Sequence, residues 1–149
     1  MSFLANIFKR SAAPNTKSAK QQDQQREASN QMTTAKDVLK QIKDNDVKYV
    51  DFRFTDPRGK WQHVTFDVSI VDEDALTEGI MFDGSSIAGW KAINESDMTL
   101  VPDLESLTID PFFAASTLSI VCDVIEPTTG QPYNRDPRGI AKKALAHMK

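Results

Sequence analysis

One cysteine, Cys122, is all the thiol in this 149-residue chain, so no intrachain disulfide can form. It sits in the apolar run Leu118-Ser119-Ile120-Val121-Cys122-Asp123-Val124-Ile125, which points to a buried, inert thiol in a reducing cytoplasm. Histidine is nearly as scarce: His63 has no second histidine nearer than His147 and is read as structural, not as a metal ligand or general base. No stretch approaches the roughly 20 apolar residues that span a bilayer. No glycine loop of the phosphate-cradling kind occurs, and no cluster of metal ligands has workable spacing. What remains, at 40% apolar and 26% charged residues, has the composition of one ordinary globular domain.

Charge of one sign is short in the body of the chain. Residues 1–31 carry five cations against two anions, whereas the other 118 residues carry 13 against 19. An acidic domain without interleaved basic and aromatic residues excludes nucleic acid as a partner. The basic start reads as a tail. Phe3, Leu4, Ile7 and Phe8 fall at helical spacing before Lys9-Arg10, Pro14 ends that pattern, and a glutamine-rich polar run follows. Four apolar residues anchor weakly at a membrane, and the polar run cannot bury enough surface to offset its ordering entropy, so residues 1–31 are expected to be disordered.

From Met32 onward an organised domain is expected. Thr34 with Asp37 resembles a capping box, and Ala35, Val38, Leu39 and Ile42 then form one face of a helix stopping near Asp44-Asn45. Val50, Phe52 and Phe54 alternate with Asp51 and Arg53 as in a half-buried strand. The turn Asp56-Pro57-Arg58-Gly59 leads into a second alternating run, with Gln62, Val64 and Phe66 on one face and Trp61, His63 and Thr65 on the other, making a hairpin. Residues 72–78 read as a short helix with Gly79 as its left-handed cap. Strands are expected at 98–101, 107–109 and 118–125, and Asp136-Pro137 opens a last, covering helix whose apolar face is Ile140, Ala141, Ala144 and Leu145. One helix, four or five short strands and a covering helix give an α+β domain.

The most informative segment is Gly79-Ile80-Met81-Phe82-Asp83-Gly84-Ser85-Ser86-Ile87-Ala88-Gly89-Trp90, in which a strand-like apolar run delivers one carboxylate into a Gly/Ser-rich turn that closes on tryptophan. Alone, Asp-Gly-Ser-Ser is an ordinary turn. Together with Lys91-Ala92-Ile93-Asn94-Glu95-Ser96-Asp97-Met98, Leu100-Val101-Pro102-Asp103, Ile109-Asp110-Pro111-Phe112-Phe113, Asp51-Phe52-Arg53-Phe54-Thr55-Asp56, Gln62-His63-Val64-Thr65 and Asn134-Arg135-Asp136-Pro137-Arg138, it resembles the N-terminal domain of prokaryotic type I glutamine synthetase, from about Met32 to the end of the chain. Ala88 departs from the glycine of many relatives, by one methyl group.

The resemblance implies a β-grasp topology, which periodicity alone does not select. It also implies an enzyme that joins ammonia to glutamate with ATP through a γ-glutamyl phosphate, at sites between neighbouring subunits of a ring. The residue matching Asp83 would bind ammonium and take its proton, Ser86 would lie close to the same pocket, and Trp90 would belong to the loop walling it; Asp97 could contribute through its loop but reads first as a solvated surface aspartate. ATP and magnesium or manganese would belong to a catalytic domain that follows the last helix in the family, so these 149 residues are expected to bind no cofactor and to be inactive alone. Two readings stay open. One is an enzyme part that works with a catalytic domain or neighbouring subunits; the other is a non-catalytic module docking onto an intact ring or another partner. Removal of residues 1–31 is expected to leave the domain's stability within about 1 kcal/mol of the full chain, measured by thermal unfolding, because the cap at Thr34 starts the fold afresh.

Overall fold

The computed structural model describes residues 33–90 and 96–148. The expected tail at 1–31 lies outside the described residues, as do positions 91–95 of the motif region.

The capping box at Thr34 forms as the sequence predicts. Thr34 Oγ1 accepts from the Asp37 N–H, and Asp37 Oδ2 accepts from the Thr34 N–H at 2.9 Å. Helix α1 (Ala35–Asp44) follows, with Ala35, Val38 and Ile42 buried. The chain then enters β1 (Tyr49–Thr55), and the hairpin turns back into β2 (Trp61–Asp67). Buried Asp56 builds the turn, accepting from the N–H groups of Arg58 and Lys60 on one oxygen and from Gln62 Nε2 on the other. The short helix α2 (Glu73–Thr77) is capped by Asp72. After Gly79, the strand β3 (Ile80–Asp83) pairs with β4 (Asp97–Pro102). The chain continues through β5 (Thr108–Asp110), the ten-residue β6 (Thr117–Glu126), a two-residue β7 (Gln131–Pro132) and helix α3 (Pro137–His147).

Among the described residues the sheet has seven strands, with main order β2-β1-β6-β4-β3. β1 and β6 run parallel, Val50 opposite Leu118 and Phe52 opposite Ile120, while β4 lies antiparallel on the other side of β6. One face carries the core: Val50, Phe52 and Phe54 join Leu118, Ile120, Cys122, Val124, Met98 and Leu100 in one cluster with Val38, Ile42 and Leu76 of the helices. Burial pushes the Cys122 thiol pKa far up, which keeps it protonated and unreactive.

Three expectations need correction. The sheet has more strands than four or five, because the approach to Asp83 is a ladder strand and residues 131–132 add a short seventh. Asp51 does not face solvent as the alternation suggested; it is 1% exposed. Thr65 Oγ1, Arg53 Nε and His63 Nδ1 all bond its carboxylate, at 2.6, 2.7 and 2.7 Å, and Arg53 reaches on to Asp110. His63 thus helps hold the buried carboxylate. Finally, α3 does not cover the sheet with its apolar face, since Ile140 and Leu145 are both 56% exposed. Its first turn attaches it instead: Asp136 caps the helix, and Arg138 pairs with Asp123 and Asp103.

Gly79 turns the chain from α2 into β3 at φ +93°, and a Cβ there would stand 2.4 Å from the Leu100 carbonyl oxygen. Gly79→Ala is expected to cost about 2–3 kcal/mol in thermal or denaturant unfolding, from left-handed strain plus a clash with backbone that cannot move aside.

Candidate functional site

The site is built where an edge strand stops. β3 is the outermost strand beside β4, and its register sets Ile80 opposite Leu100, Phe82 opposite Met98 and Asp83 opposite Asp97. Ile80 and Phe82 turn toward the core, so the last position of the strand is left to the carboxylate. Asp83 and Asp97 are both exposed. Asp97 is a surface aspartate, as the sequence suggested, and the ladder adds that it is the cross-strand partner of Asp83, a placement that needs the register and is invisible to local pattern.

Beyond Asp83 the chain makes a single 3-10 turn, Gly84–Ser86, capped by the Asp83 side chain, whose Oδ1 accepts from the Ser85 N–H at 2.9 Å. Ser86 Oγ donates to the Asp83 carbonyl at 2.7 Å, so Ser86 holds the turn beside the carboxylate. Gly84 is fixed by crowding. Its N–H donates to the Ser96 carbonyl at 2.7 Å, and a Cβ there would meet the Met98 side chain at 2.7 Å. The Ser85 side chain and N–H, with help from the Ser96 side chain and against slight desolvation, lower the Asp83 pKa below the ordinary aspartate value. An exposed carboxylate of this kind is an anion throughout the neutral range.

The far end of the loop is anchored by aromatic packing. Trp90 is only 6% exposed, and its ring lies 5.3 Å from those of Phe54 and Tyr133 and 6.0 Å from that of Phe82. The indole body therefore sits in the core beneath the loop, and its N–H has no hydrogen-bond partner among the described residues. Sequence reasoning did not single out Arg135. Its guanidinium reaches back over 46 residues to donate to the Gly89 carbonyl at 2.6 Å, and it approaches the Trp90 carbonyl at 3.4 Å.

A second polar cluster, on the other end of the sheet, combines buried Asp51 with Arg53 and His63 beside the exposed ring of Trp61, and Arg53 lies 5.6 Å above that ring. Every one of these groups has a structural partner. Among the described residues, no three His, Cys, Asp or Glu side chains come together as a metal-binding set, and no helix is long and apolar enough to cross a membrane.

Comparison with known proteins places this geometry. Residues 46–127 match the family described as glutamine synthetase, beta-Grasp domain. Over 118 residues the chain is 79% identical to a glutamine synthetase of Bradyrhizobium diazoefficiens, covering 79% of this chain and 25% of the relative. It is also 57% identical over 113 residues to a protein of Cupriavidus pinatubonensis named 3-hydroxylaminophenol mutase, covering 76% of this chain and 24% of that one. Among solved structures, a glutamine synthetase of Plasmodium falciparum superposes with TM-score 0.70 at 28% identity, over 78% of this chain and 23% of that one. The chain thus spans about a quarter of the length of these relatives. On that match over more than half of its length, the chain belongs to the glutamine synthetase β-grasp domain family.

Proposed function

We propose that this domain supplies the ammonium-site loop of a glutamate–ammonia ligase, acting in the cytoplasm with a catalytic domain that lies outside these 149 residues, in the same subunit or a neighbouring one of a ring. The reading rests on one observation above all: the Asp83 carboxylate is exposed and set opposite a second exposed carboxylate, Asp97, at the end of an edge strand. Two exposed carboxylates at paired positions, where β3 ends and β4 begins, attract a small cation.

The chemistry divides into attraction and proton transfer. A carboxylate of lowered pKa is a weak base toward free ammonium, so the first task of Asp83 is to gather the cation. Ammonium has no lone pair, so Asp83 accepts one of its protons to free the ammonia that attacks; as nitrogen bonds to the γ-carbonyl carbon of γ-glutamyl phosphate and the bond to the phosphate oxygen breaks, the adduct's second excess proton leaves to the departing phosphate. Ser86 fixes the backbone of the turn, and Trp90 anchors the loop that walls the pocket. ATP and magnesium or manganese belong, on this reading, to the catalytic domain.

The test is an enzyme in which this domain replaces the corresponding quarter of the Bradyrhizobium diazoefficiens relative. Asp83→Asn keeps the shape of the turn and removes the charge. Turnover is expected to fall roughly 10²–10⁴-fold with assembly intact, and Ser86→Ala is expected to be milder. A domain that merely docks onto its partner would instead leave Asp83→Asn with wild-type kinetics at limiting ammonium, and that result overturns the reading.

A pH measurement on the chain checks the electrostatics. With a folded pKa below the unfolded one, Asp83 contributes stability that is complete above about pH 4 and lost as the pH falls through its folded pKa. Ser85→Ala removes the hydroxyl and keeps the backbone N–H, so the Asp83 pKa, followed by carbon NMR of the aspartate carboxyls, is expected to rise toward the ordinary value. No rise would mean that the hydroxyl of Ser85 does not hold the charge.

A further inference from the structure

We propose that Arg135 is a positioning residue for the 83–90 loop, tying the carboxylate-bearing turn to the segment that leads into α3. The proposal rests on the function proposed for Asp83. Its structural content stands on its own geometry.

Most of the contacts that shape the loop are local. Ser85 and Ser86 bond Asp83, the Ile87 N–H donates to the Gly84 carbonyl, and the Trp90 N–H donates to the Ile87 carbonyl. These fix the form of the turns but not where they stand. Gly84 N–H to Ser96 carbonyl ties the near end to the start of β4. Among the described residues, the side-chain hydrogen bonds that reach the far end from a distant part of the chain come from Arg135, through one guanidinium nitrogen to the carbonyls of Gly89 and Trp90. Gly89 holds φ +86°, so its carbonyl is turned by a backbone geometry that costs other residues strain. A cationic donor suits this place, where one nitrogen reaches two successive carbonyls.

Arg135 acts from a fixed base. On one side of it, buried Tyr133 donates its N–H to Val124 of β6 and packs its ring on Trp90. On the other, buried Asp136 donates its N–H to the Tyr133 carbonyl and caps α3 with its carboxylate. The guanidinium is therefore carried by a segment locked to the central strand, and the loop inherits that placement through two carbonyls and one indole. Small displacements at an active site are costly in rate, so such a tie matters to the carboxylate even though it does not touch it.

The experiment has two readouts. In the full 149-residue chain, hydrogen exchange of the Ile87 and Trp90 amides is expected to quicken on the order of tenfold in Arg135→Ala while amides of α1 and β6 keep their rates, because only the loop is released. Arg135→Lys, which keeps the charge but not the planar fork, should recover part of the protection. In the joined enzyme described above, Arg135→Ala is expected to raise KM for ammonium on the order of tenfold and to leave KM for glutamate within about twofold of wild type. An equal quickening of exchange throughout the domain would mean a general stability effect and would overturn the proposal, as would unchanged exchange at Ile87 and Trp90. If Asp83→Asn abolishes turnover but Arg135→Ala leaves the ammonium KM untouched, positioning by Arg135 fails while the function of Asp83 stands. If Asp83→Asn keeps full activity, the functional reading falls first and the positioning role with it.

Discussion

Everything in this domain hangs from β6. Its ten residues pair along both edges: β1 and, further on, β7 use one edge, while β5 and β4 share the other. The parallel pairing with β1 joins residues 49–53 to 117–121, so the ladder closes only when the whole intervening chain has been brought round. Loop-closure entropy makes such a contact slow to form, and the favourable side must come from burial. β6 supplies it with Leu118, Ile120, Cys122 and Val124, all fully buried on one face. The loop bearing Asp83 lies within the segment that this pairing encloses. Its position is thus a consequence of long-range sheet closure, and the local turn chemistry decides only its shape.

On the opposite face of the sheet a buried carboxylate does a related job. Asp51 on β1 is bonded by Thr65 and His63 of β2 and by Arg53, which also pairs with Asp110 of β5. Burial raises its pKa, but the bonds from Thr65, Arg53 and His63 outweigh burial and the net shift is downward. A buried ion pair of this sort is weak evidence for net stability, because desolvation consumes most of the attraction. It is strong evidence for register. One residue of slip between β1 and β2 would carry Asp51 away from both of its β2 partners and leave the buried charge with the Arg53 bond alone.

How much of this could be read beforehand depends on the range of the interaction. The capping box at Thr34, the turn at Asp56 and the helix start at Asp136-Pro137 were legible because each is settled within a few residues by groups of fixed hydrogen-bonding capacity. The apolar face of β1 was legible for the same reason, through period-two alternation. Asp51 was misread since alternation says which side a residue faces and not what covers that side. Ile140 and Leu145 were misread because a helical apolar stripe predicts burial without saying against what, and in α3 the helix is held by Arg138 and Asp136 at its first turn. At the site, Asp83 and its serines stood out as a composition, whereas the pairing of Asp83 with Asp97 and the reach of Arg135 join residues 14 and 46 positions apart. No local signal carries those.

The loop keeps what supports it apart from what it presents. Like charges placed directly opposite in an antiparallel ladder are destabilising, and an edge strand optimised for stability would set an apolar or opposite-charge pair there. Here the strand ends on Asp83 facing Asp97, and the one nearby cation that reaches the loop among the described residues, Arg135, spends its charge on the carbonyls of Gly89 and Trp90. Neutral groups do the rest of the holding: Gly84 against Met98, buried Ile87, and Trp90 among Phe54, Phe82 and Tyr133. The loop is rigidly supported while the anionic character at its head is left in place. The packing that anchors the loop is thus separate from the exposed carboxylates at its head, so the anchoring persists whatever those carboxylates meet.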